Sequence, residues 1–222
     1  MQVLAVFGGA FTAAAVQSGD ATYQLGLPEV FTFLFVMLGP LKLIGPFATQ
    51  MRLAEPAARR ALAIKSTVIA TVALLLGGFA GRGLLAKWQI SPAVLLLTAG
   101  LVFLLVALRM VLAQYDPDEA KSLGSDQPTP FRFAFPTIVT PYGMAAFILL
   151  LTYSQDPRRT VAIVLLLLWL MVLNLLAMLF ARPILKALGV PLALLGAVLG
   201  VLQVALAIQL MLFGLKAAGV IS

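Results

Sequence analysis

Long apolar runs, separated only by short charged stretches, leave this chain one environment to fold in. A helix needs about 20 apolar residues to cross the hydrocarbon core of a bilayer. The runs 29–51, 62–85, 92–113, 131–153, 160–180 and 191–215 meet that length. They are too long, and alternate too little, for the strands of a membrane β-barrel. Only 10% of the 222 residues are charged, against roughly a quarter in a soluble domain. The expected fold is an all-α integral membrane protein with six transmembrane helices. No soluble stretch is long enough to fold alone, so residues 1–222 read as a single membrane domain. Residues 1–28 form an N-terminal hydrophobic segment, read as a short extra helix, and residues 29–113 a first three-span half. A cytoplasmic loop at 114–130 separates it from a second three-span half, 131–222. An odd number of spans per half makes the halves run in opposite directions, as in an inverted repeat.

The formal charge of +7 is read through that architecture. Excess Lys and Arg mark the cytoplasmic side of a membrane protein. If the chain enters its first span from outside, the cytoplasmic side holds nine cations: Arg52, Arg59, Arg60, Lys65, Arg109, Lys121, Arg132, Arg182 and Lys186. The outer side holds five: Arg82, Lys87, Arg158, Arg159 and Lys216. Both ends of the six-span core are therefore expected outside. Trp88, Tyr115 and Tyr153 fall at span ends, where amphipathic rings favour the headgroup level. Nucleic acid is excluded as a partner, because no basic face with interleaved aromatics exists. The partners expected are membrane lipids and a small-molecule substrate, anionic or zwitterionic, with a homo-oligomer left open.

Two spans carry breaks. Gly39-Pro40 and Gly45-Pro46 interrupt the first, and Pro136 and Pro141 interrupt the fourth. Proline removes a helical hydrogen bond and clashes with the carbonyl four residues back. Inside a membrane such backbone is tolerated only where protein buries it or a wet cavity meets it. Paired broken helices in two halves point to a transporter's substrate site. The reading places an internal cavity near the midplane. Pro46 and Pro141 are expected to open new half-helices, with Thr140 as an N-cap. The N–H groups of residues 47–49 and 142–144 would then face the cavity and attract an anion.

Lys42 stands between the two Gly-Pro pairs, about 15 Å along a helix from Arg52. An intramembrane cation is costly and marks a bundle interior or cavity. No Asp or Glu occupies a span interior, so the natural guest is an anion. The competing reading makes Lys42 structural, bonded to carbonyls that the breaks set free. The candidate substrate-binding residues are Lys42, Gly39, Gly45, Pro46, Thr137, Thr140, Pro141, Gly143, Asn174 and Gln209. Ser66, Thr67, Thr71, Thr98 and Gln203 are read as interhelical hydrogen-bond glue, and Gly77-x-x-x-Gly81 and Gly196-x-x-x-Gly200 as close-packing seams.

Zero cysteines and zero histidines remove thiol chemistry and the commonest metal ligand. With no paired carboxylates in a span and no phosphate-cradling loop, no enzyme, metal site or cofactor is expected. The function expected is alternating-access transport or export of a small solute, amino-acid-like or carboxylate-bearing. The alternatives are a membrane scaffold without transport and a passive channel.

Four stretches taken in order carry a family resemblance. They are Gly39-Pro40-Leu41-Lys42-Leu43-Ile44-Gly45-Pro46, residues 98–110, Phe135-Pro136-Thr137-Ile138-Val139-Thr140-Pro141-Tyr142-Gly143, and residues 207–215. Over roughly residues 31–214 the chain resembles the MarC family of small bacterial inner-membrane proteins. Some members are described as neutral amino-acid exporters, within a lysine-exporter superfamily of six-span proteins. The resemblance implies two three-span halves, solute transport and a bacterial inner-membrane location. Many members carry Asn-Pro-x-Gly in the first break, where this chain has Lys42-Leu43-Ile44-Gly45. A cation in place of a neutral amide implies a different guest.

Overall fold

The computed structural model describes residues 26–112, 129–154 and 156–220. The N-terminal hydrophobic helix, most of the 114–130 loop and Tyr115 lie outside the described residues. The described chain is all helical: α1 (Leu27–Leu38), α2 (Leu41–Gln50), α3 (Pro56–Lys87), α4 (Pro92–Leu112), α5 (Pro130–Phe133), a π-helical turn (Ala134–Ile138), α6 (Pro141–Thr152), α7 (Pro157–Leu179) and α8 (Ala181–Ala217). Five helical stretches are long and apolar enough to cross a membrane, with α1 and α2 counted as one. The pair Pro130–Ile138 and Pro141–Thr152, bent by 66°, makes a sixth if it is one span.

Local chemistry sets most of the helix starts. Proline opens α3, α5, α6 and α7 near the first helical position, where no N–H partner is lost. The Thr129, Thr140 and Asp156 side chains cap α5, α6 and α7 by accepting backbone N–H groups. Trp88 and Tyr153 are the C-cap residues of α3 and α6, both well exposed. Two helices exceed the expected spans. α3 begins at Pro56 rather than near residue 62, carrying Arg59 and Arg60 on extra helical turns. α8 begins at Ala181 rather than Pro191. A proline forfeits a single backbone bond, and that loss does not stop a helix of 37 residues.

α4 and α8 form the most extensive helix pair. A Cβ at Gly100 of α4 would lie 3.0 Å from the Ala207 carbonyl oxygen, and one at Gly214 of α8 would lie 3.0 Å from that of Ala93. Hydrogen at both positions lets the two backbones approach closely, the membrane-protein substitute for hydrophobic driving force. The Gly77–Gly81 stretch of α3 instead makes room for the Met144, Phe147 and Ile148 side chains of α6. Gly196 lies where side chains fall outside the described residues. The hydroxyls behave differently from expectation. Ser66, Thr67, Thr71 and Thr98 each donate to the carbonyl four residues back on their own helix, at 2.6–2.9 Å. A short hydroxyl reaches that carbonyl more readily than a neighbouring helix.

Candidate functional site

Two helix breaks meet inside the bundle. α1 stops at Leu38 because Gly39 is extended, at φ −70° and ψ 166°. The residue before a proline is pushed out of the helical region. Pro40 then serves as the N-cap of α2. Only hydrogen fits at Gly39, since a Cβ there would fall on the Phe35 carbonyl oxygen.

In an unbroken helix the carbonyls of Met37 and Leu38 would accept the N–H groups of residues 41 and 42. Here side chains take that place. Lys42 Nζ donates to the Met37 carbonyl at 2.8 Å. Asn174 Nδ2, from α7, donates to the Leu38 carbonyl at 2.8 Å. Asn174 is fully buried, and its Oδ1 has no hydrogen-bond partner. A buried acceptor left bare costs about 1–3 kcal/mol, which makes it conspicuous.

At the second break the chain leaves the π turn and runs extended through Val139 and Thr140, at ψ 96° and 149°. The Phe135-Pro136 peptide within the turn is cis. Thr140 Oγ1 accepts the Gly143 N–H at 3.2 Å, and its carbonyl accepts the Met144 N–H at 2.9 Å. Pro141 is the first residue of α6, as its missing N–H favours.

The two breaks touch. A Cβ on Gly143 would strike the Leu38 side chain and come within 2.7 Å of Thr140 Oγ1. Lys42 Nζ lies 5.4 Å from the centroid of the Tyr142 ring, within cation–π range. Phe103 of α4 packs against the same Tyr142 ring, their centroids 4.5 Å apart. Lys42, Asn174, Gly39, Thr140 and Gly143 therefore share one region, joined through Leu38 and Tyr142.

Other sequence expectations are corrected. Pro46 does not open a half-helix but sits exposed inside α2. A helix begun there would have little more than one turn before Gln50. The N–H groups of residues 47–49 are therefore helix interior, and Thr49 Oγ1 donates back to the Gly45 carbonyl at 3.0 Å. Thr140 already occupies the N–H groups of Gly143 and Met144. Thr137 is half-buried in the π turn and Gln209 half-buried on α8. Among the described residues no hydrogen bond joins either to Lys42. Around Lys42 itself, the Met37 carbonyl and the face of the Tyr142 ring are the nearest partners. Sequence reasoning missed that ring's role and the identity of the carbonyls. An aromatic directly after the proline of a break was the available signal.

A cavity of about 140 Å³ opens elsewhere, further along α2. Its walls are Phe47, Ala48 and Met51 of the first span, Pro56, Arg59 and Arg60 of α3, and Met178, Leu179, Ala181 and Arg182 at the α7–α8 junction. Arg182 Nη2 donates to the Met51 and Arg52 carbonyls at 3.1 and 2.6 Å, closing the end of α2.

A bundle of apolar helices, with broken segments and a cation at its interior, defines a polytopic integral membrane protein. Residues 27–218 match the MarC family of integral membrane proteins, and the chain belongs to that family. It is similar to the UPF0056 inner membrane protein YhgN of Escherichia coli (strain K12), 26% identical over 136 residues covering 61% of this chain and 69% of that one. The same figures hold for the protein of that name from Shigella flexneri. A UPF0056 membrane protein of Buchnera aphidicola subsp. Baizongia pistaciae (strain Bp) is 25% identical over 194 residues, 85% of this chain and 95% of that one. No solved structure matches the chain at a significant level.

Proposed function

We propose that this protein is a secondary transporter of a small carboxylate-bearing solute, built as a 3+3 inverted repeat in a bacterial inner membrane. The observation that carries the reading is the meeting of two helix breaks, one from each half, around Lys42 and Asn174. The inner-membrane placement agrees with YhgN, a relative named as an inner membrane protein. The cation bias supports both ends of the core lying outside.

Packing supports the repeat. Exchange of spans one and four, two and five, and three and six carries each main helix contact onto another. α4 pairs with α8 and α3 with α7, α4 against α6 matches α8 against α2, α3 against α6 matches α7 against α2, and α3 against α5 matches α7 against α1. The halves are interlaced, so most helix contacts run between them rather than within them. Rocking of one sequence half against the other does not suit such packing. A motion of the α4–α8 pair against the remaining helices does, and it would open the Tyr142–Phe103 contact above Lys42.

In this reading the bonds at the breaks describe an occluded, guest-free arrangement. Lys42 exchanges the Met37 carbonyl for the guest's carboxylate, and the bare Asn174 Oδ1 accepts an ammonium N–H of a zwitterion. Counterflow in proteoliposomes tests it, with labelled neutral amino acids and simple monocarboxylates. Lys42→Met is expected to weaken apparent affinity about tenfold or more, the scale of a lost charge-assisted bond. Saturable counterflow that Lys42→Met leaves unchanged would remove Lys42 from the mechanism, and no flux of any such solute would sink the transporter reading. One observation favours a packing-only scaffold instead: the Lys42 ammonium is already bonded to protein. That reading predicts no flux but the same loss of stability when Asn174 is replaced.

A further inference from the structure

We infer that the cavity between the end of α2, the start of α3 and the α7–α8 junction binds a phosphoryl-type oxyanion, separate from the Lys42 region. Three guanidinium side chains, Arg59, Arg60 and Arg182, line it, and no acid does. Among the described residues no ion pair engages these arginines. The Arg59 Nε is buried and has no hydrogen-bond partner. A guanidinium nitrogen withdrawn from water without an acceptor is costly, and turning the Arg59 side chain toward an oxyanion in the cavity would supply one.

The backbone points the same way. α3 starts at this cavity; its N-cap residue, the exposed Glu55, makes no side-chain capping bond, and no acid lies in its first turn. The first N–H groups of a helix have no partner within it, and the positive end of its dipole favours an anion. Arg59, Arg60 and Arg182 bring three positive charges beside that end against the single carboxylate of Glu55, so the local potential stays positive. Arg182, tied to the Met51 and Arg52 carbonyls, is already held in place. At about 140 Å³ the cavity is roughly ten times the space that admits one water, enough for a tetrahedral anion and part of its solvent.

The anion has two possible sources, a phospholipid headgroup or a free phosphate. Apolar walls at Phe47, Met51 and Leu179 stand beside the guanidiniums, so a headgroup with its acyl chain is accommodated as well as a bare ion. Basic pockets between membrane helices are a known form of headgroup recognition.

Thermal unfolding of the full chain in neutral detergent, stripped of lipid, tests the site. Inorganic phosphate, phosphatidylglycerol and phosphatidylcholine are titrated against wild type and an Arg59→Gln/Arg60→Gln variant. Saturable stabilisation by phosphate and phosphatidylglycerol, with none by phosphatidylcholine, supports the site and assigns a free phosphoryl anion. Stabilisation by phosphatidylglycerol alone supports it and assigns a headgroup. The double variant is expected to lose at least about tenfold in apparent affinity. A wild type that responds to neither anion, or a variant with an undiminished response, overturns the proposal. If the double variant does not accumulate, Arg59→Gln and Arg60→Gln are read singly by the same criteria.

Discussion

At Gly39-Pro40 one loosened carbonyl is met by Lys42 of the same span and the other by Asn174 of a distant helix, whereas at Thr140-Pro141 the loosened N–H groups are met by the residue next door. The first break has no side-chain cap of its own. It depends on Lys42 and on Asn174, which lies 136 residues from Leu38. The second is closed by Thr140, whose hydroxyl and carbonyl both bind the turn they precede. A break that caps itself folds with its own segment. A break closed by another helix forms only when the bundle assembles. The difference places the vulnerability of the fold in the first span, and the scope for rearrangement there too.

Substitutions can break or sharpen that contrast, and unfolding free energy in mixed micelles is the common readout. Gly39→Ala should have the largest effect, about 3 kcal/mol, because its Cβ meets backbone that cannot swing away. Asn174→Leu should follow at about 2 kcal/mol, through a buried Leu38 carbonyl left without a donor. A loss there no larger than at Thr140 would erase the proposed asymmetry. Thr140→Ala should cost about 1 kcal/mol, the usual value of an N-cap, with Thr140→Ser nearly neutral. Lys42→Met should change stability least, within about 1 kcal/mol, since the lost bond is offset by removing a cation from the membrane interior. A large destabilisation by Lys42→Met would mean that the lysine serves chiefly to hold the break together.

Length and apolarity placed the helices in the membrane, and Thr140 with Pro141 was readable as a helix start because caps are local chemistry. Pro46 was misread because a Gly-Pro pair looks the same whether the chain breaks there or continues. The preceding pair at Gly39-Pro40 had already ended α1, and ten residues of α2 then ran through Pro46. The threonines of α3 were misassigned to neighbouring helices because sequence does not say which acceptor a hydroxyl will reach first.

The sequence by itself determined an all-helical membrane protein with an interior cation, because a bilayer admits few solutions to backbone hydrogen bonding. It also marked the break at Gly39-Pro40 and the helix start at Thr140-Pro141, since glycine and proline act on their own neighbours. Tertiary structure alone decided that the two breaks touch, that Lys42 binds Met37 beneath Tyr142, and that Asn174 reaches across to Leu38. Apart from the Lys42–Met37 bond, which spans five residues, those contacts join residues far apart in the chain, and their geometry depends on how helices cross, which no local pattern of residues encodes.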